Sequence, residues 1–331
     1  MIIAVTGVSG HLGSELVPLL RAAGHDVVRL VRREPSAPDE ARWNPATGSV
    51  DPAALERADA VVHLAAENIL GRWEDPQVRR RIRESRVDVT RRLAETLATG
   101  RYAPHTLVNA AAIGYYGLGH TDETLTEDLQ PGRGFLAEIG RDREAAAAVA
   151  AAGGLRVVNV RIGVVQSPDQ GMLNFLLPRF RRGLGGRIGR GRRYLAWVTR
   201  VDAARACQHV LEHPAVSGPV NAVSPNPVTN AEYARTLGRV LGRPAVLAVP
   251  PFVLRRALGS FAEETLLRST RALPARLLDT GFTFRFPELE TALRHVLAPS
   301  AASTGPDSAR ASGVAGPAAP AHAVTASGRR S

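Results

Sequence analysis

The apolar residues of this chain fall into short, nearly continuous runs, separated by longer stretches with helical spacing. These runs predict buried strands at 2–5, 27–31, 60–66, 106–111, 156–162 and 220–223. Helices are predicted between them, notably over 78–98 and 140–152. Buried strands that alternate with helices are typical of a doubly wound parallel sheet, and we therefore predict an α/β fold.

The pattern changes after the last of these strands. Thr229 and Glu232 form a Thr-x-x-Glu capping box, and an apolar helical face follows it. We therefore predict a first domain over 1–228 and a smaller, largely helical C-terminal domain over 229–297. Residues 298–331 contain few large apolar side chains and are rich in Ala, Ser, Gly, Thr and Pro, which predicts a disordered tail.

Composition limits the chemistry that is available. The chain has 331 residues, with 42 Lys and Arg against 31 Asp and Glu, and its formal charge is +11. All of these cationic residues are Arg, so every mechanism that needs a lysine is excluded. Cys207 is the single cysteine, which excludes an internal disulfide and a cysteine metal cluster, and we predict no metal site.

Charge and hydropathy also bear on the partners. No apolar stretch reaches the ~18 residues of a membrane helix, and the first residues lack the basic start of a signal peptide, so we expect a cytoplasmic protein without a membrane partner. Aromatic residues, which stack on bases, make up only 5%, so we predict a small-molecule partner and no nucleic acid. Oligomeric state is left open. The densest group of arginines fits a solvated helix face: Arg79, Arg80, Arg81, Arg83 and Arg86.

A glycine-rich loop follows the first strand and opens a helix. It reads TGVSGHLG over 6–13, a G-x-x-G-x-x-G pattern that in this position is typical of a Rossmann-type dinucleotide site. Gly7 allows the tight turn, Gly10 lets the backbone approach a pyrophosphate, and Gly13 allows close helix packing. The helix N-terminus then stabilises the phosphates. The predicted cofactor contacts from this loop are Thr6, Gly7, Ser9, Gly10, His11, Leu12 and Gly13.

Two further segments are predicted to face the cofactor. At the end of the strand predicted at 60–66 the candidate contacts are Leu64, Ala65, Ala66 and Glu67, followed by Asn68. The second strand ends in Arg32 and Arg33, where NAD-binding proteins carry an acid for the ribose 2′-hydroxyl. Because a guanidinium suits a 2′-phosphate, we predict NADP rather than NAD. The alternative is a solvated arginine pair.

Several motifs occur in the order that is typical of one family. Besides the glycine loop they are His63-Leu64-Ala65-Ala66, Gly71-Arg72-Trp73, Gly114-Tyr115-Tyr116-Gly117, Arg161-Ile162-Gly163-Val164-Val165 and Leu273-Pro274-Ala275-Arg276-Leu277-Leu278. With them the chain resembles the extended and atypical short-chain dehydrogenase/reductases, within the epimerase-like oxidoreductase subgroup of the NAD-dependent epimerase/dehydratase family. The resemblance covers about 1–297 and implies an NADP-dependent oxidoreductase or epimerase for a small carbonyl or sugar-like substrate. It also implies a substrate-side insertion at about 170–196 and a C-terminal substrate lobe.

The chain lacks the catalytic groups that are usual in the wider family. The expected Ser or Thr after the strand at 106–111 is replaced by alanine in the stretch 110–112, and the expected Tyr-x-x-x-Lys falls near Phe135 and Ile139. Two functions therefore stay open. The chain is either an oxidoreductase with a substitute proton donor or a catalytically degenerate NADP-binding sensor or scaffold.

Tyr116 is the candidate for that donor, because it follows the strand at 106–111 at the carboxyl edge of the sheet, where such folds bind ligands. A free tyrosine has a pKa near ~10 and needs a nearby cation to act at neutral pH, for which Arg141 is the candidate. The alternative is that Tyr116 only packs against the nicotinamide ribose.

The remaining candidates concern the substrate side and the core. His63 is expected to be a hydrogen-bonded core histidine, and Arg161 is expected to pair with a carboxylate. Asp202 is either that partner or a cap of the helix at 203–212. Arginines beside flexible glycines suit a phosphate or carboxylate, and the alternative is a solvated, mobile basic loop. The substrate-side candidates are Tyr115, Arg190, Arg193 and Trp197.

Overall fold

The computed structural model describes residues 1–67, 69, 73–99 and 102–298. The predicted tail beyond residue 298 and the predicted contact Asn68 lie outside these residues, as do Gly71 and Arg72 of one family motif. Residues Met1–Leu297 form one compact unit. The predicted division at residue 228 stays a prediction.

The described chain alternates strands and helices through most of its length. The strands are β1 (Ile2–Thr6), β2 (Asp26–Val31), β3 (Glu40–Arg42), β4 (Ala60–His63), β5 (Thr106–Ala112), β6 (Thr124–Leu125), β7 (Arg156–Ile162), β8 (Val164–Gln166), β9 (Gly186–Ile188), β10 (Tyr194–Leu195), β11 (Trp197–Thr199), β12 (Gly218–Ala222), β13 (Val228–Thr229), β14 (Leu247–Val249) and β15 (Arg271–Ala272). The helices are α1 (Gly13–Ala22), α2 (Pro52–Arg57), α3 (Pro76–Arg83), α4 (Val89–Ala98), α5 (Phe135–Ala148), α6 (Gly171–Arg181), α7 (Arg200–Glu212), α8 (Asn230–Leu241), α9 (Pro251–Thr265), α10 (Ala275–Asp279) and α11 (Leu289–Leu297).

Seven strands form the central sheet, in the order β12-β7-β5-β4-β1-β2-β3, and every pair is parallel. The chain builds outward from β1 to β3 and then returns to β4 on the other side of β1. Strand order therefore reverses between β1 and β4, and an open α/β sheet binds ligands in the crevice at the carboxyl ends of such strands. The predicted doubly wound α/β fold is confirmed.

Each face of the sheet is covered by helices, which explains the nearly continuous apolar strands. Ile3 and Val5 of β1 point into a core that includes Leu16 of α1. Ala4, between them, points into the opposite core with Leu93 of α4. Successive side chains of one strand thus fill two separate cores, and both must be apolar.

Two helices differ from the predicted pattern. The helix predicted over 78–98 contains a π-helical turn at Glu84–Asp88 between α3 and α4. The helix predicted from residue 140 begins at Phe135, because Glu264 accepts hydrogen bonds from its first two backbone N–H groups. A carboxylate more than 100 positions away in sequence thus caps α5, which no local pattern reveals.

The C-terminal region packs against the sheet domain through several elements, and Leu277 of α10, with Phe282 and Phe284, joins the core on one face of the sheet. Thr229 caps α8 by accepting a hydrogen bond from the Glu232 N–H, as the capping box predicted. Helix α9 is kinked at Gly259, where φ is 55°. The residues beyond this kink, including Phe261 and Glu264, approach the start of α5. None of the described helices has both the length and the apolarity needed to cross a bilayer.

Candidate cofactor and substrate site

The three glycines of the loop between β1 and α1 have three different surroundings. Gly7 has φ of +71°, and a Cβ on it would lie 2.8 Å from the Ala65 nitrogen. A Cβ on Gly13 would lie 2.3 Å from the Gly7 oxygen, so this glycine permits the close packing of loop and helix. A Cβ on Gly10 would meet only the Gly7 oxygen, at 3.1 Å. Gly10 therefore presents an open backbone to the crevice.

The start of α1 offers groups that suit an anion. No side chain caps this helix. The N–H groups of Ser14 and Glu15 donate to the Gly10 and Leu12 carbonyls, whereas those of residues 11–13 have no acceptor among the described residues and keep their capacity to bind phosphate. The His11 Nε2 atom is enclosed and has no hydrogen-bond partner within the described chain. Burial and, secondarily, Arg200 lower the pKa of His11, which favours a neutral ring. The free N–H groups of residues 11–13 and the open Gly10 suit a dinucleotide pyrophosphate.

The remaining predicted loop contacts divide between solvent and core. Ser9 is exposed beside Gly10, and Leu12 packs against the core below the loop. Thr6 was predicted as a cofactor contact, but its side chain is fully buried. Its Oγ1 accepts hydrogen bonds from the N–H groups of Leu64 and Ala65, at 3.2 and 3.3 Å. Thr6 thus holds the segment after β4 in place, and the chain leaves the sheet there, earlier than predicted.

His63 closes the same buried network. Its ring nitrogens lie 2.9 Å from the Thr6 hydroxyl and 3.1 Å from the Thr90 hydroxyl. Burial and, to a smaller extent, Arg143 lower the pKa of His63 well below its usual range, so the ring is neutral. The prediction of a hydrogen-bonded core histidine is confirmed.

Two arginines converge on the segment that follows β4. Arg86 donates from Nη2 to the Glu67 carbonyl at 2.7 Å, and Arg143 donates from Nη2 to the Ala65 carbonyl at 3.5 Å. Arg143 also donates from Nε to Asn109 Oδ1 at 3.3 Å. The side chains of Ala66 and Glu67 remain exposed, as cofactor contacts require.

Neither arginine has a carboxylate within 4.0 Å among the described residues. Burial lowers the pKa of Arg86 to about 10. Burial and the repulsion of Arg86 lower the pKa of Arg143 to about 9. Arg86 was predicted on a solvated helix face, and that prediction is wrong. The π-helical turn carries an extra residue, so α-helical spacing misplaces side chains inside it.

The two predicted NADP contacts at the end of β2, Arg32 and Arg33, differ in their partners. Arg33 donates from Nη2 to Glu40 Oε1 at 2.6 Å and from Nη1 to Glu40 Oε2 at 2.8 Å. The Glu40 side chain is only 1% exposed, and Arg33 and the Ser36 N–H lower its pKa to about 2. Arg32 is exposed and makes no hydrogen bond or ion pair with the described residues. Arg33 is therefore committed to the fold, and Arg32 is the available cation.

Tyr116 occupies the centre of a buried network rather than the wall of the crevice. Its side chain is fully buried, and its hydroxyl lies 2.7 Å from the Thr126 carbonyl and 3.0 Å from Asn221 Oδ1. Arg161 donates from Nη1 to this hydroxyl at 3.1 Å. Burial raises the pKa of Tyr116 above its ordinary value, and Arg161 only partly offsets this. The geometry favours a structural role, and the predicted catalytic role is left without support from it.

The cation beside Tyr116 is not the predicted one. Arg141 is exposed and bonds to Asp142, whereas Arg161 reaches Tyr116 and pairs with Glu144 at 2.8 Å. The prediction that Arg161 pairs with a carboxylate is confirmed, but the partner is not Asp202. Asp202 instead accepts backbone hydrogen bonds from 285 and 286 and pairs with the side chain at 205.

The substrate-side candidates are spread over several environments. Tyr115 is 9% exposed, and its ring lies under the Arg161 guanidinium, whose central carbon is 3.5 Å from the ring centroid. Trp197 is fully buried and donates to the Asn226 carbonyl, so it does not present a surface to substrate as predicted. Arg190 is exposed and Arg193 half-buried, without side-chain partners among the described residues. A role for these two arginines stays a prediction.

Where the wider family places its Tyr and Lys, this chain has an apolar cluster. Phe135 and Ile139 are 7% and 3% exposed. Trp73 packs edge-on against Phe135 and Phe261, with ring centroids 5.5 and 5.1 Å apart. The cluster joins the loop after β4, the start of α5 and the kinked helix α9. The cluster is apolar and offers no hydroxyl or amine that could act as a proton donor.

Sequence comparison gives the site its family context. Residues 3–223 match the NAD dependent epimerase/dehydratase family. The chain belongs to this family. Residues 249–296 match a domain of unknown function, DUF1731. The chain is 43% identical over 292 residues to Epimerase family protein Mb2239 of Mycobacterium bovis, covering 88% of this chain and 96% of that protein. It is 37% identical over 303 residues to Epimerase family protein SDR39U1 of Bos taurus, covering 90% of this chain and all of that protein.

Solved structures extend the comparison to the fold. The human epimerase family protein SDR39U1, crystallised with NADPH, is 34% identical with a TM-score of 0.81, over 89% of this chain and 99% of that chain. A Corynebacterium glutamicum nucleoside-diphosphate sugar epimerase is 35% identical with a TM-score of 0.74, over 90% of this chain and 58% of that chain. UDP-glucose 4-epimerase from Thermus thermophilus, in complex with NAD, shares the fold at 23% identity and a TM-score of 0.67, over 89% and 97% of the two chains. The Rossmann-type, NAD(P)-binding character of the fold is thereby confirmed.

Proposed function

We propose that this chain is an NADP(H)-dependent oxidoreductase or epimerase of the short-chain type that acts on a small carbonyl or sugar-like substrate. The observation that carries the choice of NADP is the end of β2. Arg32 is exposed and unpaired there, while the nearby carboxylate of Glu40 is buried and bonded to Arg33. A free guanidinium without a free acid favours a 2′-phosphate over a 2′-hydroxyl. The NADPH in the human relative supports the same choice.

Different groups of the described residues bind different parts of the dinucleotide. The glycine loop and the N-terminus of α1 hold the pyrophosphate, and Arg32 binds the 2′-phosphate. Arg86 and Arg143 fix the backbone of 65–67, which lines the crevice. When bound, the nicotinamide supplies the hydride-transfer chemistry, and the protein supplies orientation and electrostatics.

The second candidate is a catalytically degenerate NADP-binding sensor or scaffold. One specific observation favours it: the groups that could replace the family's proton donor are apolar or buried. Phe135 and Ile139 have no acidic proton to transfer, and the Tyr116 hydroxyl is enclosed by protein. With these three positions unavailable in the described structure, an enzyme with this site would take its proton from water or from the substrate itself.

Turnover of bound NADPH distinguishes the two candidates. Purified protein is first titrated with NADPH by fluorescence, and then NADPH oxidation is followed over a panel of aldehydes, ketones and 2-oxo acids. The proposal expects saturable NADPH binding and oxidation with at least one carbonyl class, both lost in Gly10→Val. Tight NADPH binding with no oxidation across the panel favours the sensor or scaffold.

A further inference from the structure

Arg268, just beyond α9, carries a charge that forms no ion pair with the residues that the structure describes. Its guanidinium forms no hydrogen bond or ion pair with the described residues, and its Nη1 atom is enclosed without a partner. The residue as a whole is half-buried, so part of its surface stays accessible. Burial lowers the pKa of Arg268 to about 10, and it remains charged at neutral pH. A buried, unpaired cation is costly unless a ligand supplies the missing anion.

The position of Arg268 connects it to the crevice. A Cβ on Gly114 would lie 3.7 Å from Arg268 Nη1 and 3.2 Å from Leu136 Cβ. Gly114 follows β5 at the carboxyl edge of the sheet, two residues beyond its end. The C-terminal region therefore places a guanidinium at the edge where this fold binds its ligands.

The carboxylate that neighbours Arg268 is already engaged. Glu264 attracts Arg268, but its Oε1 accepts from the Phe135 N–H at 3.0 Å and its Oε2 from the Leu136 N–H at 2.8 Å. These two hydrogen bonds hold the carboxylate at the start of α5. No ion pair forms with Arg268 within 4.0 Å among the described residues. Its positive charge is therefore available to an anion bound beside Gly114.

We propose that Arg268 binds an oxyanion of the substrate, a carboxylate or a phosphate, beside Gly114 at the carboxyl edge of β5. The inference rests on the proposed function and narrows its substrate class to small carbonyl compounds that carry such a group. A guanidinium presents a planar fork of N–H donors that matches both oxyanions, and such charge-assisted bonds are strong where water is excluded. The C-terminal region then acts as a specificity element, because it contributes the recognising side chain.

Anion binding by the cofactor-loaded protein tests the assignment without requiring turnover. Protein saturated with NADP⁺ is titrated with oxalate and, separately, with inorganic phosphate by calorimetry. Arg268→Gln removes the charge, Arg268→Lys keeps it, and Arg255→Gln is the matched control. Arg255 lies on α9, which ends shortly before Arg268, but it is exposed and pairs with Glu263. Melting temperatures and NADPH affinities of all variants are measured first.

The expected result is binding of at least one anion by wild type and by Arg255→Gln. Loss of one charged hydrogen bond weakens binding roughly 10-fold to 100-fold, so Arg268→Gln should lose affinity by that factor and Arg268→Lys should recover part of it. NADPH affinity should not change. If oxalate alone binds, the oxyanion is a carboxylate; if phosphate alone binds, it is a phosphate.

Two results would overturn the assignment while the proposed function stands. One is NADPH binding by wild type without any Arg268-dependent anion binding, and the other is a loss of NADPH affinity in Arg268→Gln equal to its loss of anion affinity. If Arg268→Gln does not fold, Arg268→Met and Arg268→Lys provide the same comparison. Failure of wild type to bind NADPH at all would instead refute the proposed function.

Discussion

Replacing Tyr116 by Phe distinguishes a structural tyrosine from a catalytic one. The substitution removes a single oxygen from the buried network and leaves the ring in place. Arg161 keeps its hydrogen bonds to Glu144, at 2.8 and 2.9 Å, and to the Glu127 carbonyl at 3.2 Å. The Thr126 carbonyl and Asn221 Oδ1 lose the donor that they share.

The magnitude follows from this inventory. One hydroxyl proton serves two acceptors, so its removal leaves about one buried acceptor unsatisfied. Such a loss costs about 1–3 kcal/mol of the free energy of unfolding. For a domain of this size we expect the melting temperature to fall by roughly 2–5 °C. The hydroxyl does not face the crevice, so NADPH affinity and any turnover should stay within about 3-fold of wild type.

Thermal unfolding, NADPH titration and steady-state NADPH oxidation are measured on the same preparations. Tyr102→Phe is the matched control, because the Tyr102 hydroxyl makes no hydrogen bond to the described residues; we expect it to melt with wild type. A general acid contributes about 10²–10⁴-fold to a rate. Loss of turnover by that factor in Tyr116→Phe, with an unchanged melting temperature, would refute the structural role and restore Tyr116 as the proton donor.

Two further predictions concern the cofactor loop and the end of β2. Gly10→Val should weaken NADPH binding at least about 10-fold without unfolding the protein, because its side chain projects into the crevice; Gly13→Val should instead lower the melting temperature, because its Cβ would lie 2.3 Å from the Gly7 oxygen. Retained NADPH affinity in folded Gly10→Val would show that the loop is only a turn. Glu40 has a folded pKa of about 2 against an ordinary 4.5, so its stabilising effect is present above pH 4.5 and is lost as the pH falls towards 2. The difference in urea stability between wild type and Glu40→Gln should therefore shrink over that range, and a constant difference would contradict the ion pair.

Local sequence patterns predicted the features that depend on neighbouring residues. The apolar runs located the central strands because both faces of the sheet are covered. The glycine spacing identified the loop because Gly7 and Gly13 each meet backbone within 3 Å of a Cβ position. The capping box at Thr229 was likewise predictable, because its hydrogen bond joins residues only three positions apart.

Features that depend on distant partners were predicted wrongly or not at all. Arg33 was predicted as a phosphate ligand, but in the structure it pairs with Glu40. Tyr116 was predicted at the crevice, but its hydroxyl is bonded to side chains of β7 and β12. Arg268 carried no motif, and only its unpaired Nη1 atom beside Gly114 draws attention to it. The role of a charged side chain depends on which partners tertiary packing places beside it. The spacing of residues in the sequence does not reveal those partners.

The choice of dinucleotide tests the central claim most directly. NADPH and NADH are titrated by fluorescence against wild type, Arg32→Gln and the control Arg235→Gln, an exposed arginine of α8. We predict that wild type binds NADPH at least about 10-fold more tightly than NADH, and that Arg32→Gln removes this preference by weakening NADPH alone. Arg235→Gln should match wild type. Equal affinities in wild type, or a preference that survives in Arg32→Gln, would contradict the account.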